Sequence, residues 1–222
     1  MTNPKKTKAL AAAFAALLIL GGCATSRVER RILLAYEGPR PDSLLAPSVK
    51  AFKGVIVVPF VDLRRDKNTY GTYTWGNMSV NYTSGAESVS TGITRMVMEF
   101  LSRAGMQPAA GKWNGRIDTL PKIKGSHAIF GEIERLDFSG KGRFYEAKKT
   151  GMIRIVIKWG NRAAGKIVTQ TVEVTPDNRE FHLFSTGFDH VSKMEELIRK
   201  TVSKAIRESI TTVFKSPAGA GK

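Results

Sequence analysis

Apolar positions along the chain fall into blocks of different period, and each period predicts an element. An uncharged run from Ala9 to Leu20 follows a start carrying Lys5, Lys6 and Lys8, and it is too short to span a bilayer as a helix. Residues 24–50 hold Pro39, Pro41 and Pro47 and no sustained apolar period. They read as a tether with one short ordered piece around Ile32–Tyr36, which puts the start of the folded domain near Phe52. Gly54–Val61 is β-branched and apolar on both faces, the pattern of a buried strand. Asn68–Gly85 is rich in Tyr, Thr and Gly and predicts a hairpin turning at Gly76-Asn77. From Ser88 to Ala104, Val89, Ile93, Met96, Val97, Phe100 and Leu101 share one helical face, and Gly105 ends it.

Residues 107–125, with Pro108, Pro121 and clustered glycine and lysine, read as loop. Three strands follow at His127–Phe138, Met152–Trp159 and Lys166–Val174, the second with Ile153, Ile155, Ile157 and Trp159 on one face. A last helix from about His190 to Phe214 carries Val191, Met194, Ile198, Val202, Ala205, Ser209 and Val213 at spacings of three and four. Asp189 or Ser192 would cap it, and Ser192-Lys-Met-Glu195 fits a capping box. The expected fold is α+β: a two-layer α/β sandwich with a mixed or antiparallel sheet of four to five strands and both helices on one face. The expected organisation is a leader over 1–22, a lipidated flexible tether over 23–51, a single α/β domain over 52–215 and a disordered tail over 216–222.

The basic start and the apolar run together make a signal peptide. The run ends in Leu20-Gly21-Gly22-Cys23, which resembles the bacterial lipobox. That resemblance implies a diacylglyceryl group on the Cys23 sulfur, cleavage before Cys23, and acylation of the freed amine by a chain such as palmitate. Ala24 stands where an aspartate would resemble an inner-membrane retention signal, so the expected place is the outer membrane, facing the periplasm. Cys23 is the only cysteine, which excludes an intrachain disulfide. Cleavage removes three lysines and no acid, taking the net charge from +16 to +13. A chain this basic is ordinarily a nucleic-acid suspect; export directs the charge to anionic envelope lipid and polymer instead.

Val57-Val-Pro-Phe-Val-Asp62-Leu-Arg64-Arg65-Asp-Lys67 with Gly71, a helix closing on Leu101-Ser-Arg-Ala-Gly105, and His127-Ala-Ile-Phe-Gly-Glu-Ile133 resemble YajG-like lipoproteins. A wider group of similar element order includes auxiliary lipoproteins of envelope transport and domains like the N-terminal part of TolB. The resemblance covers residues 54–214 and implies scaffolding or binding without catalysis. The expected function is an accessory lipoprotein that binds another envelope component. The alternative is an auxiliary of lipopolysaccharide or phospholipid transport, or of outer-membrane assembly, that binds anionic lipid through a basic face.

Candidate chemistry is sparse. His127, His182 and His190 lack any supporting hydrolase or zinc motif and read as structural, and no cofactor or metal is expected. Lys149-Thr150-Gly151 matches one fragment of penicillin-recognising enzymes without the Ser-x-x-Lys that supplies their nucleophile. Ser139-Gly-Lys-Gly142 reads as a turn between strands. Asp62 with Arg64 or Arg65 forms either an anion site or a turn held by the carboxylate.

Charge placement is the sharper signal. Lys141, Arg143, Lys148, Lys149, Arg154, Lys158, Arg162 and Lys166 stand against Glu146 alone, and alternation in the second strand puts Arg154 and Lys158 on the outer face, beside Phe144 and Tyr145. That face is either an anion-binding surface or a solvated one. Tyr70, Tyr73, Trp75 and Tyr82 are either a partner-contact surface or a partly covered loop.

Overall fold

The computed structural model describes residues 26–38, 54–143, 146–181 and 187–215. The leader, Cys23, most of the tether, Phe144, Tyr145, His182 and the 216–222 tail lie outside them.

Among the described residues ten strands form one mixed sheet. They are β1 (Ser26–Arg31), β2 (Val55–Val57), β3 (Val61–Asp62), β4 (Thr69–Trp75), β5 (Met78–Thr83), β6 (Pro108–Ala110), β7 (His127–Arg143), β8 (Glu146–Asn161), β9 (Lys166–Val174) and β10 (Asp177–Phe181). The helices are α1 (Val89–Arg103) and α2 (Gly187–Lys215). The four-to-five-strand sandwich is therefore corrected: the class is α+β, but the sheet is larger and curls into a half-barrel.

The reason is the length of β7 and β8. At about 3.3 Å per residue, 17-residue β7 runs roughly 55 Å. Along one edge it pairs in turn with β2, β3 and β4, all parallel, and along the other it pairs antiparallel with β8. β8 in turn takes β9 and β10 end to end. A strand that serves several short partners cannot close into a small flat sheet.

Several expectations change with this. Ser139-Gly-Lys-Gly142 is not a turn but continuous strand, with Gly140 and Gly142 beneath the rings of Tyr73 and Trp75; a Cβ on Gly140 would lie 2.3 Å from Tyr73 Cδ2. Gly54–Val61 is two strands, because Pro59 lacks the N–H a ladder needs. Residues 107–125 contain β6 and a 3-10 turn at Ile117–Lys122. α2 begins at Gly187, so Ser192 and Glu195 lie inside the helix rather than at a capping box.

The tether reading is also corrected over 26–38. β1 adds parallel to β5, and Ile32, Leu34 and Tyr36 are buried. Arg95 donates to the Leu34 carbonyl at 2.6 Å, Ser203 Oγ accepts from Glu37 N at 2.9 Å, and Arg30 pairs with Glu195 at 3.2 Å.

Packing divides along β2. Val55 and Val57 join the main core with Ile129, Ile153, Ile155, Ile157 and Trp159 and the apolar faces of both helices. Ile56 and Val58 point to the opposite face, where Trp113, Leu120, Ile123 and Ala128 cover them. The both-sided apolar pattern of that strand thus has a physical cause. α1 is as expected: Ser88 Oγ caps it by accepting from Thr91 N, and Gly105 at φ 83° ends it.

Candidate anion-binding surface

Asp62 and Arg64 answer each other. Arg64 Nη2 meets Asp62 Oδ2 at 2.8 Å and Nε meets Oδ1 at 2.9 Å, with both side chains buried. The same guanidinium donates to the carbonyls of Lys67, Thr69 and Leu136. All its donor directions are engaged by the protein, so it ties the 62–69 turn to β7 and has no capacity left for an anion. Beside it, an open cleft of about 300 Å³ is lined by Tyr70 and Leu136 together with Arg65, Asp66, Glu134, Arg135 and Asp137, whose charges are mixed. Hydrogen bonds from Thr69 and the Asn68 N–H hold the Asp66 carboxyl below its ordinary range.

The aromatic stretch faces inward. Tyr70, Tyr73 and Tyr82 are among the most buried side chains. Tyr82 donates to the Val191 carbonyl of α2 at 3.0 Å, and Trp75 stacks on His190 with centroids 4.9 Å apart. Tyr73, Trp75 and Tyr82 join the hairpin to α2 instead of lining an outer surface. His127 is buried against Trp159, with Nδ1 3.0 Å from Ser126 Oγ, and burial lowers its pKa. No group of three His, Cys, Asp or Glu residues gathers among the described residues.

The basic stretch does not form one surface. Arg154 and Lys158 are on the outer face as alternation requires, but β7 supplies Glu134 at 2.9 Å and Glu132 at 3.6 Å to neutralise them. Arg162 donates to the Ile123 carbonyl at 2.9 Å and holds the 3-10 turn, while Lys166 is exposed at the start of β9. Lys149 is buried at 1% exposure: the same odd-numbered alternation that turns Ile153 and Ile155 inward carries back through it. That parity was available in the sequence.

Lys141, Arg143 and Lys148 remain, all exposed at the far end of the β7–β8 hairpin. Lys141 and Lys148 are direct cross-strand partners, an arrangement of like charges that costs stability unless an anion sits between or above them. Arg27 belongs with them: the register carries one row from Arg27 through Ser79, Thr74 and Lys141 to Lys148. Sequence reasoning missed Arg27 because β1 has no apolar alternation to mark it as a strand.

An α+β fold with a solvent-facing sheet surface and a basic rim is what these residues define. No family model matches the chain, and no curated protein does. Among solved structures it is similar to protein XCC0632 from Xanthomonas campestris (8% identity, TM-score 0.48, 85% of this chain and 95% of that one). It is also similar to a putative neuraminyllactose-binding hemagglutinin homolog from Helicobacter pylori (10%, 0.40, 84% and 96%). A third is lipoprotein GNA1162 from Neisseria meningitidis (11%, 0.31, 67% and 96%). All three are bacterial and one is a lipoprotein; at these scores they assign the chain neither a ligand nor a family.

Proposed function

We propose that the chain is a lipid-anchored, periplasm-facing accessory protein of the bacterial envelope, held in the outer membrane through Cys23 and binding another envelope component without catalysis. The observation that carries this reading is the leader: Lys5, Lys6 and Lys8, an uncharged run over Ala9–Leu20, then Leu20-Gly21-Gly22-Cys23. Ala24 supports the outer over the inner membrane. The YajG-like element order supports binding over chemistry, and the polar outer face of the sheet, with its exposed basic rim, supplies a surface for it.

The test is Cys23→Ser in the full chain. Wild type is expected in the outer-membrane fraction and to take up a fatty-acid label; the variant is expected to lose the label and keep the uncleaved leader. Equal labelling and fractionation of the two would refute the anchor.

A further inference from the structure

Resting on the lipid-anchor reading, we propose that the end of the sheet beside the anchor docks flat on the anionic phospholipid surface of the bilayer that holds the anchor, through Arg27, Lys141, Arg143 and Lys148.

Chain length sets the geometry. Only Ala24 and Thr25 separate Cys23 from Ser26, the first residue of β1, and three residues extend at most about 10 Å. The domain thus begins at the anchor, and the end of the sheet that holds Ser26 is the end nearest the lipid. That end is defined by a register row. Ser26 pairs with Met78, Met78 with Trp75, Trp75 with Gly142, and Gly142 with Ala147, crossing β1, β5, β4, β7 and β8. Ser26 N also donates to the Asn77 carbonyl at 3.1 Å, fixing β1 beside the β4–β5 turn.

The adjoining row holds the charges. Tyr73 and Val80 point into the core, so Thr74 and Ser79 point outward, and with them Arg27, Lys141 and Lys148. Arg30 has the opposite parity and reaches Glu195 on the helix side, which confirms the assignment. Arg143 extends the row toward the tip. None of these four has an ion-pair partner among the described residues; in register, Glu146 stands opposite Arg143 and Glu29 two residues from Arg27, while on β7 the next acid on this face, Asp137, lies four residues back, roughly 13 Å along the strand from Lys141.

Anionic headgroups complement such a rim, and the anchor confines them to the same few ångströms, so even weak attraction becomes an intramolecular contact at high effective concentration. Docking also places headgroup phosphates over Lys141 and Lys148, offsetting the cross-strand repulsion that the fold otherwise carries.

Because Cys23 is the only cysteine, its thiol can be coupled to a maleimide lipid in vesicles, using the chain from Cys23 onward. Only residues 1–22 are removed, all outside the described residues. The readout is lysine acetylation, resolved by peptide, on vesicles of phosphatidylcholine alone and of phosphatidylcholine with phosphatidylglycerol at about three to one. Lys141 and Lys148 are expected to react about fivefold more slowly on the anionic vesicles, with the protection lost in roughly 0.5 M salt. Lys122, Lys124 and Lys166, near the opposite end of β7, roughly 46 Å along the strand from Lys141, are expected to be unchanged. Equal reactivity of Lys141 and Lys148 on the two surfaces, or equal protection of the distal lysines, overturns the proposal. Since the coupling is chemical, that result is independent of whether the cell lipidates Cys23, which Cys23→Ser tests separately.

Discussion

Arg64 shows how a residue flagged by sequence for its chemistry can be used up by structure. Its ion pair with Asp62 is buried, and removing one partner leaves the other charged and enclosed. Arg64→Met is therefore expected to cost about 3–5 kcal/mol in urea denaturation, and a cost below about 1 kcal/mol would contradict the knot. His127 sets a pH dependence. Burial lowers its pKa from the ordinary 6.5, so the folded state favours neutral imidazole. Its contribution to stability is full above about pH 6.5 and is lost as pH falls from there toward the depressed folded value. His127→Gln should flatten that part of a stability–pH profile; an unaltered slope would exclude His127 as its source. Lys149 is the residue whose placement the sequence carries most directly at this scale. The alternation that turns Ile153 inward and Arg154 and Lys158 outward also runs back through Gly151 to an inward Lys149, which is buried.

Elements were legible in proportion to how much apolar surface they bury on one face. α1 was complete in the sequence, because seven buried positions repeat at helical spacing between a serine cap and a glycine stop. The inward face of β8 followed from strict alternation, and the hairpin at Gly76-Asn77 from turn residues between two β-prone arms. β1 and β10 were not: Ser-Arg-Val-Glu-Arg-Arg and Asp-Asn-Arg-Glu-Phe lack alternation, and β1 is exposed at every position. The far end of β7 was hidden differently. Glycines there have the composition of a turn, whereas their role is to let Tyr73 and Trp75 lie across the strand. Gly140→Val, harmless in an exposed turn, is expected to lower stability by about 1–3 kcal/mol through its clash with Tyr73. Thermal unfolding indistinguishable from wild type would restore the turn reading.

At the scale of the whole molecule, the decisive change is where the folded part begins. A tether reaching to Phe52 would let the domain stand well off a membrane; a strand at Ser26 instead starts three residues after Cys23, the proposed lipid site. Leu34, buried at 1% beside Gly92 of α1, fixes that segment, and Leu34→Ala is expected to cost about 2–5 kcal/mol where truncation in a loose tether would cost nothing measurable by denaturant unfolding. The basic composition that first raised the question of nucleic acid is distributed accordingly: some cations pair with β7 glutamates, one holds a turn, and an exposed group gathers at the end of the sheet that holds Ser26. The most direct measurement is the mass of the N-terminal peptide of the protein purified from cell envelopes. The expected species starts at Cys23 and carries diacylglyceryl on sulfur, whereas an unmodified peptide retaining Met1 and an unmodified Cys23 would contradict the account at its foundation.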